Sequence, residues 1–212
     1  MSTSTTYSNI GRLVIGAACV IATSACGSDM LRTGRSPAYL VITSMQGESG
    51  GPASQTSAFL QSDVQVLVDQ TVNGVTRKVA TIFNDNATAA IRAELKNPTV
   101  GATAINSITI TRYHVSFRRA DGRNTPGVDV PYAFDGAVSA GVSSGSTTNV
   151  AFEIVRHQAK LEMPLKGLAG GGGQIFISTI AEVTFYGRDQ NGNEVTVTGQ
   201  MDVHFGDFAD SQ

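Results

Sequence analysis

From residue 38 onward, apolar and polar side chains alternate with a period of two through most of the chain. Ala89, Ile91, Ala93 and Leu95 fall on one face, with Thr88, Arg92, Glu94 and Lys96 opposite. Val150, Phe152 and Ile154 alternate with Ala151 and Glu153. Ile175, Ile177, Ala181, Val183 and Phe185 alternate with Ser178, Glu182 and Thr184, and Val195, Val197, Met201, Val203 and Phe205 with Thr196, Thr198, Gln200, Asp202 and His204. This is the pattern of half-buried antiparallel strands, polar on the solvent side. Residues 39–43 predict a further short strand, Val64, Val66 and Val68 another apolar face, and 46–56 a surface loop rich in Gly, Ser, Pro and Gln. The last two strands are joined across 187–193, where Asn191-Gly192 is a strong hairpin signal.

One stretch changes phase. In 106–119 the apolar positions are Ile108 and Ile110, then Tyr113, Val115 and Phe117, a shift from even to odd that a regular strand cannot bury on one side. A β-bulge or a change of sheet near Thr111-Arg112 is the expected remedy. With eight or nine strands and almost no helical period, the expected fold is all-β, an antiparallel Greek-key sandwich of immunoglobulin or fibronectin-III type. The likeness is one of architecture, since the chain has no Trp and so lacks the Cys-Trp-Cys core of true immunoglobulin domains.

Composition narrows the setting. Charged residues make up 15%, against roughly 25% in an average globular chain. A net charge of −2 offers no basic face for nucleic acid. The two cysteines are Cys19 and Cys26, so residues 27–212 can hold no internal disulfide and must be stabilised by their core. Their number is ample for one.

The N-terminus carries Arg12, an apolar run over 13–21, and then Ala22-Thr23-Ser24-Ala25-Cys26. The run is shorter than the roughly 20 residues a membrane-spanning helix needs and suits a signal h-region. This segment resembles a bacterial lipoprotein signal peptide ending in a lipobox. The resemblance implies removal of residues 1–25 and lipidation of Cys26; the stretch after it has few apolar residues and no period and reads as a tether over 26–37, with a single domain expected over 38–212. Gly27 in place of an inner-membrane retention Asp points to the outer membrane as the address. Ordinary secretory cleavage after Ala25 stays open as the alternative.

Several motifs invite a catalytic reading. Residues 47–52, Gly-Glu-Ser-Gly-Gly-Pro, resemble the nucleophile surround of trypsin-like proteases, but every histidine follows Ser49, against that family's order. Residues 141–145 fit Gly-x-Ser-x-Gly around Ser143, yet the nucleophile elbow needs a strand leading into a helix, and strand pattern follows here. A flexible loop and a hairpin loop are the expected structures. His114, His157 and His204 lack zinc-site spacing and are expected on exposed strand positions. Asp189, Asn191 and Asn193 place oxygen ligands at alternate positions, but Gln200 stands where an EF-hand requires Glu, so a turn is expected, with calcium as the alternative. The glycines at 170–173 lack the Lys-Ser or Lys-Thr of a phosphate loop and read as a connection.

The connection over 121–135 is too long for a hairpin and combines Asp121, Arg123, Asp129, Tyr132, Phe134 and Asp135 with two prolines. Long ordered loops on a sandwich are where binding commonly sits. The structural alternative is a packed crossover with Tyr132 and Phe134 capping the core. The functional expectation is a non-catalytic, membrane-tethered envelope lipoprotein, a structural, adhesive or assembly module that needs no cofactor and contacts envelope proteins or surface polymers. An envelope hydrolase or a calcium-dependent binder is the alternative, and convergence of Asp121, Asp129 and Asp135 would favour it.

Overall fold

The computed structural model describes residues 34–52, 54–171 and 175–208. The expected signal segment, Cys26 and most of the expected tether lie outside them.

The chain forms a sandwich of two sheets. Strands β1 (Ala38–Glu48), β2 (Thr56–Ser57), β3 (Leu60–Asp63), β4 (Val66–Val72), β5 (Val75–Thr81) and β6 (Asp85–Leu95) come first. They are followed by β7 (Ile108–Arg118), β8 (Phe134–Val142), β9 (Thr147–Val155), a single-turn helix α1 (His157–Lys160), β10 (Ile177–Asp189) and β11 (Glu194–Gly206). One sheet has the order β2-β1-β6-β9 and the other β3-β11-β10-β7-β8, while β4 and β5 form a separate two-stranded ribbon. Pairing is antiparallel except between β3 and β11, which run parallel.

The alternation read from the sequence is what closes the two layers. Ala87, Ala89, Ile91 and Ala93 of β6 are buried against Val150, Phe152 and Ile154 of the adjacent β9 and Ala181, Val183 and Phe185 of the facing β10. The small β6 side chains leave room for a ring cluster in which the Phe152 centroid lies 5.3 Å from Tyr113 and 5.2 Å from Phe185. Phe117 and Phe205, 5.5 Å apart, form a second ring pair. The Tyr113 hydroxyl accepts a hydrogen bond from the Glu153 backbone N–H at 3.3 Å, tying one sheet to the other where a disulfide or Trp is lacking.

The phase change in β7 is resolved as a bulge. Tyr186 pairs with Arg112 and Gly187 with Ile110, so Thr111 has no opposite residue in β10. The β7·β8 register shifts at the same place. Ile108, Ile110, Tyr113, Val115 and Phe117 are therefore all buried in one strand. Gly187 is required beside the bulge, since a Cβ there would sit 2.7 Å from the Thr109 carbonyl oxygen.

Four expectations are corrected. β1 runs on through Glu48 instead of ending at 43, because Gly47 packs against Leu60 and Met201 with no room for a side chain. Val64, Val66 and Val68 are not one strand face: Val64 is buried after β3, and the other two belong to the projecting ribbon. Ile175 lies before β10 and is 60% exposed. His157 opens α1 and is not a strand residue.

The two ends of the sandwich differ. At one end lie the entry to β1, the β8–β9 turn and the β10–β11 turn; there Ser36 hydrogen-bonds Asp189, which pairs with Ile108 of β7. At the other, roughly 35 Å away along eleven-residue strands, lie the 119–133 loop, residues 156–171 and the root of the ribbon.

Candidate functional site

The 119–133 loop is built in two parts. In the first, Asp121 accepts from Arg119 Nε at 3.1 Å and Nη2 at 2.7 Å, and from Arg123 Nε at 3.0 Å and Nη2 at 2.9 Å. Hydrogen bonds from Arg119 and then Arg123 hold its carboxyl well below the usual carboxylate range. In the second, the Thr125 carbonyl accepts from Asp129 N at 2.8 Å while Asp129 Oδ2 accepts from Thr125 N at 3.1 Å. The buried Val130 pins this turn to the core. Tyr132 lies across Gly127, whose φ is +76° and where a Cβ would fall 2.3 Å from the Tyr132 hydroxyl oxygen. The loop is thus shaped by its own bonds and presents Arg123, Val128 and Tyr132 to solvent.

The residues grouped in the sequence separate here. Phe134 belongs to β8, is buried, and packs under the Arg156 guanidinium, 4.2 Å from its ring centroid. It caps the core, whereas Tyr132 is 54% exposed and does not. Asp135 lies on the solvent face of β8, 3.1 Å from Arg112 Nη1 and 3.3 Å from His114 Nδ1. Arg112 in turn stacks 3.8 Å over Tyr186. Asp121 and Asp129 both act on Arg119, the first by hydrogen bonds and the second through its charge, while Asp135 pairs with Arg112 and His114, so the three do not meet at one site. Among the described residues no group of three His, Cys, Asp or Glu side chains could hold a metal ion.

Both carboxylate oxygens of Asp189, the anionic donor of the calcium alternative, accept hydrogen bonds within the turn. Asp189 Oδ1 accepts from Asn191 N at 2.9 Å and Asn193 N at 2.8 Å, and Oδ2 from Asn193 Nδ2 at 2.8 Å. The 189–193 segment is a turn organised around one carboxylate, with Gly192 at φ +78°. Burial pushes the Asp189 carboxyl up, but the hydrogen bonds from Asn193, Ser36 and Asn191 outweigh it and the net shift is downward. A carboxyl depressed in the fold contributes stability above its unfolded value near 4 and loses it as pH falls through the folded value. The stability gap between wild type and Asp189→Asn is therefore expected to shrink as pH drops below about 4, read from urea midpoints across pH. A gap constant with pH counts against this role.

The serine motifs lie in backbone crossings held by hydrogen bonds from main-chain N–H groups. Gly50, beside Ser49, gives its N–H to Asp85 Oδ1 at 2.8 Å, and a Cβ at Gly50 would meet the Asn84 carbonyl oxygen at 2.2 Å. The expected flexible loop is a tight crossing over a buried carboxylate. Ser143 lies in the turn that carries the chain from β8 in one sheet to β9 in the other, not in a hairpin within one sheet, and Gly145 N donates to the Ala93 carbonyl at 2.7 Å. Neither serine takes part in the Ser–His contact the structure does contain, Ser178 Oγ to His204 Nδ1 at 2.9 Å, a cross-strand pair on the open face of the five-stranded sheet.

The most unusual chemistry was not anticipated from the sequence. Lys160 and Asp85 form a fully buried ion pair, Nζ to Oδ1 2.8 Å, with side-chain exposures of 1% and 0%. Ser62 Oγ donates to Asp85 Oδ2 at 2.6 Å, and Lys160 Nζ also donates to the Asp63 carbonyl at 2.7 Å. A signal was present: Asp85 is in phase with Ala87, Ala89 and Ile91, which places it on the inward face at the start of β6.

Comparison of the chain with protein-family models, with curated proteins and with solved structures finds no match.

Proposed function

We propose that this protein is a non-catalytic, lipid-tethered component of the bacterial cell envelope, probed by partners through the 119–133 loop. The observation that carries the reading is the placement of that loop: it occupies the end of the sandwich opposite the entry to β1. A tether at Cys26 would then turn the Arg123, Val128 and Tyr132 surface away from the membrane. Exposed Tyr and Arg on a self-ordered loop lose little conformational freedom on binding, which favours contact with envelope proteins or surface polymers. An outer-membrane address follows from Gly27. The division of core strands, β1, β6 and β9 against β11, β10, β7 and β8, supports an immunoglobulin- or fibronectin-III-like reading of the sandwich.

Cell fractionation tests the tether: Cys26→Ser should release the protein from the membrane fraction or leave an uncleaved precursor, and unchanged fractionation counts against it. Binding of the protein to envelope fractions tests the loop. Arg123→Ala and Tyr132→Ala should weaken it with melting unaltered, and Ser49→Ala and Ser143→Ala should leave it intact. Ester or peptide hydrolysis abolished by either serine substitution would overturn the reading.

A further inference from the structure

We propose that Lys160 and Asp85 condense to an intramolecular amide, a covalent cross-link between the segment after β9 and the start of β6. The two groups are in contact at 2.8 Å and both are shielded from solvent. The carboxyl group is held from both sides, Oδ1 by the Gly50 N–H at 2.8 Å and Oδ2 by the Ser62 hydroxyl at 2.6 Å. The ammonium is aimed by the Asp63 carbonyl at 2.7 Å. Each component that an amide-forming step needs is therefore in place: an amine, a carboxyl group, a donor for the oxygen that stays and a hydroxyl beside the oxygen that leaves.

The step balances without any co-reactant. Proton transfer within the pair turns ammonium and carboxylate into amine and acid, and burial, which pushes the Asp85 carboxyl up, favours that neutral form. The Nζ lone pair then bonds to Cγ. The carbonyl oxygen that remains keeps the Gly50 N–H, which stabilises the charge it carries as the bond forms. The bond from Cγ to Oδ2 breaks. Overall Nζ gives up two protons, and Oδ2 takes two and departs as water, with the Ser62 hydroxyl hydrogen-bonded to it at 2.6 Å. The starting pair and the amide are both neutral, so no counter-ion is required.

Physical chemistry favours the product at this location. Groups held in contact reach effective molarities of about 10⁵–10⁸ M, far above the concentration of bulk water against which condensation competes. Exclusion of water from the site opposes the reverse reaction. Two charges whose desolvation is costly are replaced by one hydrogen-bonding amide. The bond would also supply the covalent restraint that residues 27–212, without a cysteine, cannot obtain from a disulfide.

Peptide mapping of the full chain by mass spectrometry decides the matter. With the amide formed, trypsin cannot cut after Lys160, and peptides 79–92 and 157–166 are recovered as one branched species lighter by one water than their sum, with fragment ions placing the join at Asp85 and Lys160. Lys160→Arg keeps the cation but presents a guanidinium that stays protonated, so linear 79–92 should return in full. Linear 79–92 together with cleavage after Lys160 in the wild type overturns the proposal. So does a loss of water that maps to Asp121-Gly122 or Asp135-Gly136, where ring closure onto the backbone is the ordinary cause.

Discussion

Measured against the ion-paired, unlinked form of the wild type, Lys160→Met is expected to destabilise the protein by about 3–5 kcal/mol near neutral pH, the loss seen when one partner of a buried pair is removed and the other is left charged in the interior. In this variant Asp85 keeps Ser62 and Gly50 but loses its cation, and the Asp63 carbonyl loses a donor. The loss should depend on pH in a definite direction. Burial raises the Asp85 carboxyl in the fold, and without Lys160 nothing of opposite charge offsets it. A carboxyl raised in the fold imposes no penalty below its unfolded value near 4 and an increasing one as pH rises toward the folded value. Urea titrations at acidic and neutral pH should therefore show a smaller difference between variant and wild type in acid. Asp85→Leu combined with Lys160→Met should recover much of the stability, because an apolar pair of similar volume removes both charges together. A single variant as stable as wild type at pH 7, or a double variant worse than the single, contradicts this account.

Phe134→Ala should cost about 3–5 kcal/mol, while Tyr132→Ala, two residues away, should stay within about 0.5 kcal/mol. The contrast follows from burial. Phe134 packs in the core beside Tyr113, ring centroids 6.3 Å apart, and carries the Arg156 guanidinium on its other side. Its truncation opens a cavity and leaves a cation without its aromatic face. Tyr132 is half in solvent and rests on Gly127. Thermal melts of the two variants separate a core-capping aromatic from one free to meet a partner. Equal losses would mean that the loop and the core are one cooperative unit, and Tyr132 would then no longer report on binding alone.

The sequence carried most of the strand faces because a buried sheet face leaves a period-two trace. Even the β7 irregularity was legible, since a bulge is the way for Ile110 and Tyr113 to share a side. Elements held by partners distant in the chain were not legible. The extension of β1 through Gly47 depends on Leu60 and Met201, which no local pattern names. The β4–β5 ribbon had a local signal in Asn73-Gly74, both residues at positive φ, but β5 is almost wholly exposed and β4 is half-buried only at 66–68, so neither shows a clear alternation. In the candidate loop, composition found the segment without sorting it. Phe134 and Asp135 continue a strand, and only the pairing of β8 with β7 shows where the loop stops. The Lys160–Asp85 pair was half legible, since the phase of β6 points Asp85 inward, whereas Lys160 sits on a single helical turn with no period to read.

The parallel pairing of β3 with β11 sets an order of events during folding. Leu60–Asp63 has its hydrogen-bonding partner in Val203–Gly206, 143 positions further along the chain. The sheet of five strands thus lacks its outer strand until β11 is present, however early the N-terminal half has been made. Closing so long a loop is entropically costly and slow compared with forming the β10–β11 hairpin. A chain synthesised from its N-terminus stays incomplete along that edge until Gly206 has emerged.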